Sequence, residues 1–322
     1  MNVYHSLAEA PADFGPCALT IGNFDGVHLG HRRILRRLVA AAREHGWRAS
    51  VLTFEPHPTR IVAPERVPRL LTTPARRTEL MCEEGIDQVL ILPFTPELAK
   101  LTPEEFVRQL LVERLRARIV LVGENFRFGH RQAGNTRLLA ELGRNLGFEA
   151  EVIPAVKCRG RIASSTGIRQ ALEAGRVALA ARLLQHPYGL GGEVVKGHGV
   201  GTQQTVPTLN LATSAEVIPA PGVYLTRTWD TMSGRTWNSI TNIGYRPTFG
   251  DTEELSIETF LLEPLEGAPP RRIRVEFLCR VRDERKFATP EALKAQILRD
   301  VRVAQNYFRR ARSWVGRRLS RA

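Results

Sequence analysis

The sequence predicts two domains of different class: an α/β domain built on a parallel sheet, then a smaller antiparallel β domain, a barrel or sandwich, closed by a C-terminal helix. Three observations predict it. Short apolar runs alternate with helix-periodic segments up to about residue 186. Beyond His186-Pro187-Tyr188-Gly189 the runs are short, β-rich and divided by Gly, Pro, Asn or Asp. The chain then ends on one long amphipathic stripe. A length of 322 residues fits two domains, expected at 1–186 and 187–322.

The elements follow in order. Ala18–Ile21 is a strand ending in Gly22, and Arg32–His45 carries Ile34, Leu35, Leu38, Val39 and Ala42 at helical spacing, with Gly46 as a stop. Ala49–Phe54 is a strand broken by Pro56 and Pro58. Pro74–Gly85 predicts a helix, Gln88–Phe94 a strand, Pro103–Leu115 a helix and Arg118–Val122 a buried strand. Leu138–Leu146 predicts a helix and Glu149–Val156 a strand. In the second half Gly192–Val195, Val223–Arg227, Trp237–Ile243, Leu255–Leu262 and Arg272–Leu278 predict strands. Thr289 can cap the last helix, Pro290 fits its first turn, and Leu293, Ile297, Val301, Ala304 and Phe308 form its apolar stripe. In a parallel sheet ligands bind at the carboxyl ends of strands, so the loops after Ile21, Phe54 and Val122 are the candidate sites.

Composition narrows the class. Hydrophobic residues at 43% and charged residues at 25% exclude a disordered chain. No run approaches the ~18 apolar residues of a membrane span. The opening Met1–Gly15 lacks a charged-then-apolar leader pattern, so a cytoplasmic location is expected. Cys17, Cys82, Cys158 and Cys279 lie far apart with no CxxC pair, which argues for reduced thiols over a zinc ribbon or disulfide framework. The net charge of +13 favours polyanionic partners. Only 5 of the basic residues are lysines, and the Arg-rich end around Arg309–Arg321 suits a helix C-terminus, so nucleic acid is not an expected partner. A homo-oligomer is compatible with the sequence.

The most informative stretch is Thr20-Ile21-Gly22-Asn23-Phe24-Asp25-Gly26-Val27-His28-Leu29-Gly30-His31. It reads strand, glycine-rich turn, helix. A helix start offers free N–H groups and a positive dipole end to phosphate. His28 and His31 can face one point there and donate to phosphate oxygens as charge builds in a transition state. The stretch resembles the HxGH signature of the nucleotidylyltransferase superfamily, which has a Rossmann-like fold and transfers a nucleotide with release of pyrophosphate. Arg161-Ile162-Ala163-Ser164-Ser165-Thr166-Gly167-Ile168-Arg169 is similar to the SSTxIR motif of the same superfamily, which binds the triphosphate. Ser164 or Ser165 can cap the helix that follows. Gly22, Asn23, Phe24, Asp25, Gly30, Ser164, Ser165, Thr166 and Arg169 are therefore expected around ATP, with His28 and His31 catalytic.

Phe54-Glu55-Pro56-His57-Pro58 and Gly123-Glu124-Asn125-Phe126-Arg127-Phe128-Gly129 resemble loops of the bacterial FAD synthetase domain, many relatives of which have Asp in place of Asn125. Asn125, Phe128 and Arg161 are the expected flavin-binding residues, and Tyr245 and Phe249 are further aromatics able to stack on the ring.

The second domain opens with Gly192-Glu193-Val194-Val195-Lys196-Gly197-His198-Gly199-Val200-Gly201 and then Pro207-Thr208-Leu209-Asn210. A glycine-rich β-turn before a Thr/Asn pair can fold over nucleotide phosphates and hold Mg²⁺. Glu258, between apolar neighbours, is either a half-buried structural acceptor or a general base for a substrate hydroxyl. Together with Arg282-Asp283-Glu284-Arg285-Lys286-Phe287, these segments resemble the riboflavin kinase domain, with its PTxN motif, its β-barrel and its catalytic glutamate. The whole chain then resembles one family, the bifunctional bacterial riboflavin kinase/FAD synthetases. The resemblance implies phosphorylation of riboflavin to FMN and adenylylation of FMN to FAD, with ATP as co-substrate and Mg²⁺ in both steps. It implies Gly197, Gly201, Thr208 and Asn210 on the kinase nucleotide, Thr208 and Asn210 also on Mg²⁺, and Glu258 as base. Relatives usually carry Gly-Arg-x-x-Gly-Phe where this chain has Gly201-Thr202-Gln203-Gln204-Thr205-Val206. That departure motivates an alternative, an FMN adenylyltransferase with an impaired kinase domain.

Overall fold

The computed structural model describes residues 1–195, 208–247, 253–285 and 287–319. Two compact units divide the chain at Ser165/Thr166.

The first unit is a six-stranded sheet, every pairing parallel, in the order β1-β4-β3-β2-β5-β6. Its strands are β1 (Asn2–Tyr4), β2 (Cys17–Ile21), β3 (Arg48–Glu55), β4 (Gln88–Pro93), β5 (Ala117–Gly123) and β6 (Glu149–Ile153). All five residues of β2 are buried, as the central strand of a sheet covered on both faces requires. Helices α1 (Leu29–Glu44) and α2 (Pro74–Glu83) belong to one face, where Leu35, Leu38, Leu80 and Met81 pack on Val51, Val89 and Leu121. On the other face Leu19, Leu52, Leu90 and Val120 meet Phe106, Leu110 and Leu111. Those last residues lie on α3, which opens at Pro103–Glu105 and continues as a π-helical stretch, Phe106–Arg114. The expected regular helix over Pro103–Leu115 is thus corrected: Leu115 N–H bonds the Leu110 carbonyl, five residues back. Helix α4 (Thr136–Leu146) starts under an Asn135 cap and stops at Gly147, whose φ of 82° is left-handed. The strand expected to reach Val156 ends at Ile153.

The second unit begins within α5 (Ser165–Glu173), after its first residue, and continues with α6 (Val177–Leu184), a helix not foreseen from the sequence. A closed antiparallel barrel follows, in the order β7-β8-β11-β10-β9-β12. Its strands are β7 (Tyr188–Val195), β8 (Thr208–Ala212), β9 (Gly222–Asp230), β10 (Thr236–Pro247), β11 (Glu253–Leu261) and β12 (Arg272–Arg282). Closure resolves the choice between barrel and sandwich, and it leaves no open edge. Five fully buried hydroxyls link the strands inside the barrel. Thr228 meets Ser239, Ser239 meets Thr226 and Thr226 meets Thr241, each at 2.8 Å, and Thr241 meets Thr259 at 2.9 Å. Each buried hydroxyl is thereby satisfied.

Helix α7 (Pro290–Leu319) covers the outer face of β9 and β10, where Ala304 and Phe308 pack on Val223, Leu225 and Ile240. Thr289 caps it as expected, its hydroxyl accepting from Ala292 N–H. The expected stripe needs one correction: Leu293 is 41% exposed, and polar Gln296 and Asp300 are buried on that side. Asp300 accepts from Arg282 Nε and Nη2 at 3.0 and 2.9 Å and from Gln296 Nε2 at 2.7 Å. The first half of α7 is therefore held by ions and amides, the second half by apolar packing. Asp300→Ala leaves Arg282 without its partner, and urea unfolding should show a loss of about 3 kcal/mol from the barrel unit.

Candidate active sites

The first site grows from the end of β2. Gly22 N–H bonds the Leu52 carbonyl, after which the chain leaves the sheet. Phe24, Gly26 and Val27 all have positive φ, at 50°, 81° and 40°. For Phe24 and above all for β-branched Val27 this is strained backbone, of the kind found where a turn must present groups in one arrangement. Both side chains are buried and help hold it. The turn delivers His28 as the N-cap of α1, its Nδ1 accepting from Gly30 N–H at 3.2 Å and His31 N–H at 3.4 Å. That fixes the tautomer: Nδ1 holds a lone pair, so the proton sits on Nε2. The His28 and His31 rings stack with centroids 3.7 Å apart, and Phe24 lies 5.0 Å from His31. Burial pushes His28 down to about 4. His31 is pushed well below its ordinary value by burial, then by the neighbouring His28 and Arg77. Two neutral imidazoles therefore stand at the positive end of a helix.

The other expected groups are distributed as follows. A Cβ on Gly30 would lie 3.1 Å from the His28 ring and 3.5 Å from the Ala163 carbonyl, so the missing side chain lets the Ala163–Ser165 segment approach the helix start. Ser165 does not cap its helix; its hydroxyl donates to the Asp25 carbonyl at 2.9 Å, tying that segment to the turn. Thr166 and Arg169 lie on α5, with Arg169 Nη2 3.5 Å from Thr166 Oγ1. Asn23 places its side-chain amide 2.9 Å from His57 Nε2, which joins the turn to the loop after β3. The Asp25 carboxylate faces away from solvent and accepts from Leu71 N–H, Thr72 N–H and Thr72 Oγ1. Because β3, β2 and β5 are neighbours, the loops carrying His57, the histidine pair and Asn125 leave adjacent strand ends. Asn125 and Arg161 are exposed. Phe128 is buried against Phe106 and Phe126, with Gly134 packed so that a Cβ there would lie 2.8 Å from its ring. Sequence reasoning missed Arg77, a buried cation on α2 beside Asp25, Glu55 and His31. One arginine in an amphipathic helix carries no sequence signal of burial.

The second site is set by register. In β11 Ile257, Thr259 and Leu261 point into the barrel, which turns Glu258 outward; in β8 Leu209 and Leu211 point in, which turns Thr208 and Asn210 outward. Asn210 pairs with Glu258 across β8–β11, and Glu258 pairs with Asn242 across β11–β10. The half-buried carboxylate thus stands between two asparagines, and it accepts from Ser256 Oγ at 3.0 Å. Asn242 is the residue missed here, since only the pairing shows that it flanks Glu258. Gly197, Gly201, the Thr202–Val206 loop and Phe249 lie outside the described residues. Tyr245 is 49% exposed.

Two family models match in the order the two sites occur, FAD synthetase over residues 10–167 and riboflavin kinase over residues 184–308. The chain is 36% identical over 305 residues to the bifunctional riboflavin kinase/FMN adenylyltransferase of Escherichia coli, covering 94% of this chain and 96% of that one. It is 38% identical to the protein of that name from Pseudomonas fluorescens, covering 95% and 97%. The chain belongs to the bifunctional riboflavin kinase/FMN adenylyltransferase family. Both catalytic domains of the family are present, which supports the bifunctional reading and not the alternative of adenylyl transfer alone. A solved structure described as a macrolide-efflux protein from Streptococcus pneumoniae superposes with a TM-score of 0.83 at 27% identity, covering 94% of this chain and 98% of that one. Efflux is said of that protein; among the described residues here no helix is long and apolar enough to cross a membrane.

The cap separates two roles of His28. His28→Ala removes the acceptor for two N–H groups and should cost about 1 kcal/mol in urea unfolding. His28→Asn keeps a capping oxygen, so stability should return while FAD formation from FMN does not. The folded pKa of about 4 lies below the ordinary 6.5, so the unfolded chain binds the extra proton between them. The first unit should therefore lose stability as pH falls from 6.5 towards 4, with a shallower slope in His28→Asn.

Proposed function

We propose that this chain makes FMN and then FAD at two separable sites, the kinase chemistry resting on Glu258 and the adenylyl transfer on the His28/His31 pair. The observation that carries the proposal is that the two central sets of groups lie in different units: two stacked neutral imidazoles at a helix start in one, and a carboxylate flanked by asparagines in the other. The functional boundary is taken at residues 186/187, just inside the start of the riboflavin kinase match.

At the barrel, the 5′-hydroxyl of riboflavin attacks the γ-phosphorus of ATP. The bond from that phosphorus to the β,γ-bridging oxygen breaks, and ADP leaves. Glu258 takes the hydroxyl proton, and the Ser256 hydroxyl donates to its carboxylate and holds it in place. No cluster of three His, Cys, Asp or Glu able to hold a metal occurs among the described residues. Thr208 and Asn210 nevertheless fit Mg²⁺, which takes few protein oxygens and completes its shell with water and phosphate. When bound, the ion offsets phosphate charge and orients the polyphosphate.

At the sheet, a phosphate oxygen of FMN attacks the α-phosphorus of ATP, the α,β-bridging bond breaks and pyrophosphate leaves. The nucleophile is already an anion, so no strong base is needed. His28 donates from Nε2 to a phosphate oxygen while its Nδ1 remains the cap. His31, Ser164 and Ser165 add donors, and Asn125 and Arg161 would lie on the flavin side.

The test is to incubate the protein with Mg²⁺-ATP and either riboflavin or FMN and to separate the flavins by chromatography. FAD is expected from both. Glu258→Gln should block FMN formation from riboflavin and leave FMN-to-FAD conversion intact, and His31→Ala should do the reverse. Loss of both activities in either variant would refute separable sites.

A further inference from the structure

The chain leaving β12, Arg282-Asp283-Glu284-Arg285, is pinned on both sides of one acid. Arg282 binds Asp300 of α7 through Nε and Nη2 at 3.0 and 2.9 Å, and Arg285 donates to Gln296 Oε1 of the same helix. Both guanidinium groups lie over the Phe287 ring, 5.7 and 5.0 Å from its centroid. Asp283 pairs with Arg280 at 3.1 Å. Glu284, between these anchored neighbours, has no hydrogen-bond or ion-pair partner among the described residues.

Its carboxylate lies instead against the backbone of β10. A Cβ on Gly244 would overlap Glu284 Oε1 and stand 3.1 Å from Oε2, so the close approach depends on glycine. Ile243 is fully buried and points into the barrel, which turns Gly244 outward with Asn242, onto the face that carries Glu258. Across the strands Gly244 pairs with Ser256, whose hydroxyl donates to Glu258 at 3.0 Å. Contacts therefore run from Glu284 through Gly244 and Ser256 to Glu258. Along β10, Gly244 is two residues from Asn242, the partner of Glu258, a rise of about 7 Å. One short chain can touch both carboxylates.

Strand order separates the two sides of Glu258. Thr208 and Asn210 are on β8, which flanks β11 on one side, and Gly244 is on β10, which flanks it on the other. An in-line displacement needs the nucleophile and the leaving group on opposite sides of the phosphorus. With the phosphates on the β8 side, the attacking hydroxyl comes from the β10 side, where Glu284 stands. A carboxylate only accepts hydrogen bonds and repels phosphate, so it suits a ligand that brings donors without charge, as a polyol does. We propose that Glu284 is a specificity-determining residue for the kinase: its carboxylate accepts from secondary hydroxyls of the ribityl chain and so delivers the terminal hydroxyl to Glu258. The inference rests on the kinase reading above. No bond forms or breaks at Glu284, and its oxygens remain acceptors throughout.

The experiment measures kcat/KM for phosphorylation of riboflavin and of 2′-, 3′- and 4′-deoxyriboflavin, all of which keep the 5′-hydroxyl, in the unsubstituted chain, Glu284→Ala and Glu284→Gln. In the unsubstituted chain at least one deoxy compound should fall about tenfold or more below riboflavin, the scale of a hydrogen bond to a charged group. Glu284→Ala should lower riboflavin by a similar factor and leave that deoxy compound within about twofold, because the contact it would lose is already gone. Glu284→Gln keeps one acceptor oxygen and should lie between. KM for ATP and the Mg²⁺ requirement should not move in either variant. An equal loss on all four flavins, a raised Mg²⁺ requirement, or a Glu284→Ala variant that still discriminates as the unsubstituted chain does would overturn the proposal. If the unsubstituted chain forms no FMN, the kinase reading itself fails, whereas FMN formation with no discrimination among the four flavins sinks only the role of Glu284.

Discussion

The adenylyl-transfer end of the molecule depends on one lone pair, that of His28 Nδ1. Helix α1 must find acceptors for its first N–H groups, and where most helices use a hydroxyl or carboxylate this one uses an imidazole. The choice links local structure to charge. A protonated ring would carry hydrogen on Nδ1 and lose both cap bonds, so the cap and the neutral state are one fact. Burial enforces the same state independently. Once Nδ1 is committed, Nε2–H is the only donor left. The rest of the turn serves this placement: positive φ at Phe24 and Val27, the absent Cβ at Gly30, and the Ser165 hydroxyl on the Asp25 carbonyl.

The barrel reaches a comparable definition by a different route. A one-residue slip in β10 or β11 would turn Glu258 inward and separate it from Asn210 and Asn242. The hydroxyl chain through Thr226, Thr228, Ser239, Thr241 and Thr259 is satisfied only in the observed register, because each oxygen needs its neighbour on the facing strand. An interior of leucine and valine would tolerate more misalignment. The polar interior is therefore part of what places the outer carboxylate.

Much of this was legible in the residues. Strongly periodic or continuous apolar segments such as β2, α1 and β5 stood within one to three residues of their observed ends, and the HLGH stretch predicted its strand–turn–helix setting. Elements that depend on the rest of the fold were less legible. β1 is three residues long and exists because β4 pairs with it. β8 is absent from the predicted strands, since its polar Thr208 and Asn210 face out and break the apolar run. That Phe106, Phe126 and Gly134 enclose Phe128 is visible only in the packing. Asn242 and Arg77 become visible only when strands and helices are brought together, since neither belongs to a local pattern.

The two sites also show why one chain needs two kinds of chemistry. A riboflavin hydroxyl is a poor nucleophile until its proton is removed, so a carboxylate is useful beside it. An FMN phosphate is already negative and must meet a triphosphate, so a carboxylate there would repel both. The one acidic residue in the histidine turn, Asp25, is handled accordingly. Its carboxylate is turned inward, accepts from the Leu71 and Thr72 N–H groups and faces Arg77. What the turn presents outward is then a helix start and neutral donors. On the reading proposed here charge separates the two chemistries: the acid is hidden where two anions must meet, and displayed where an uncharged polyol would be activated.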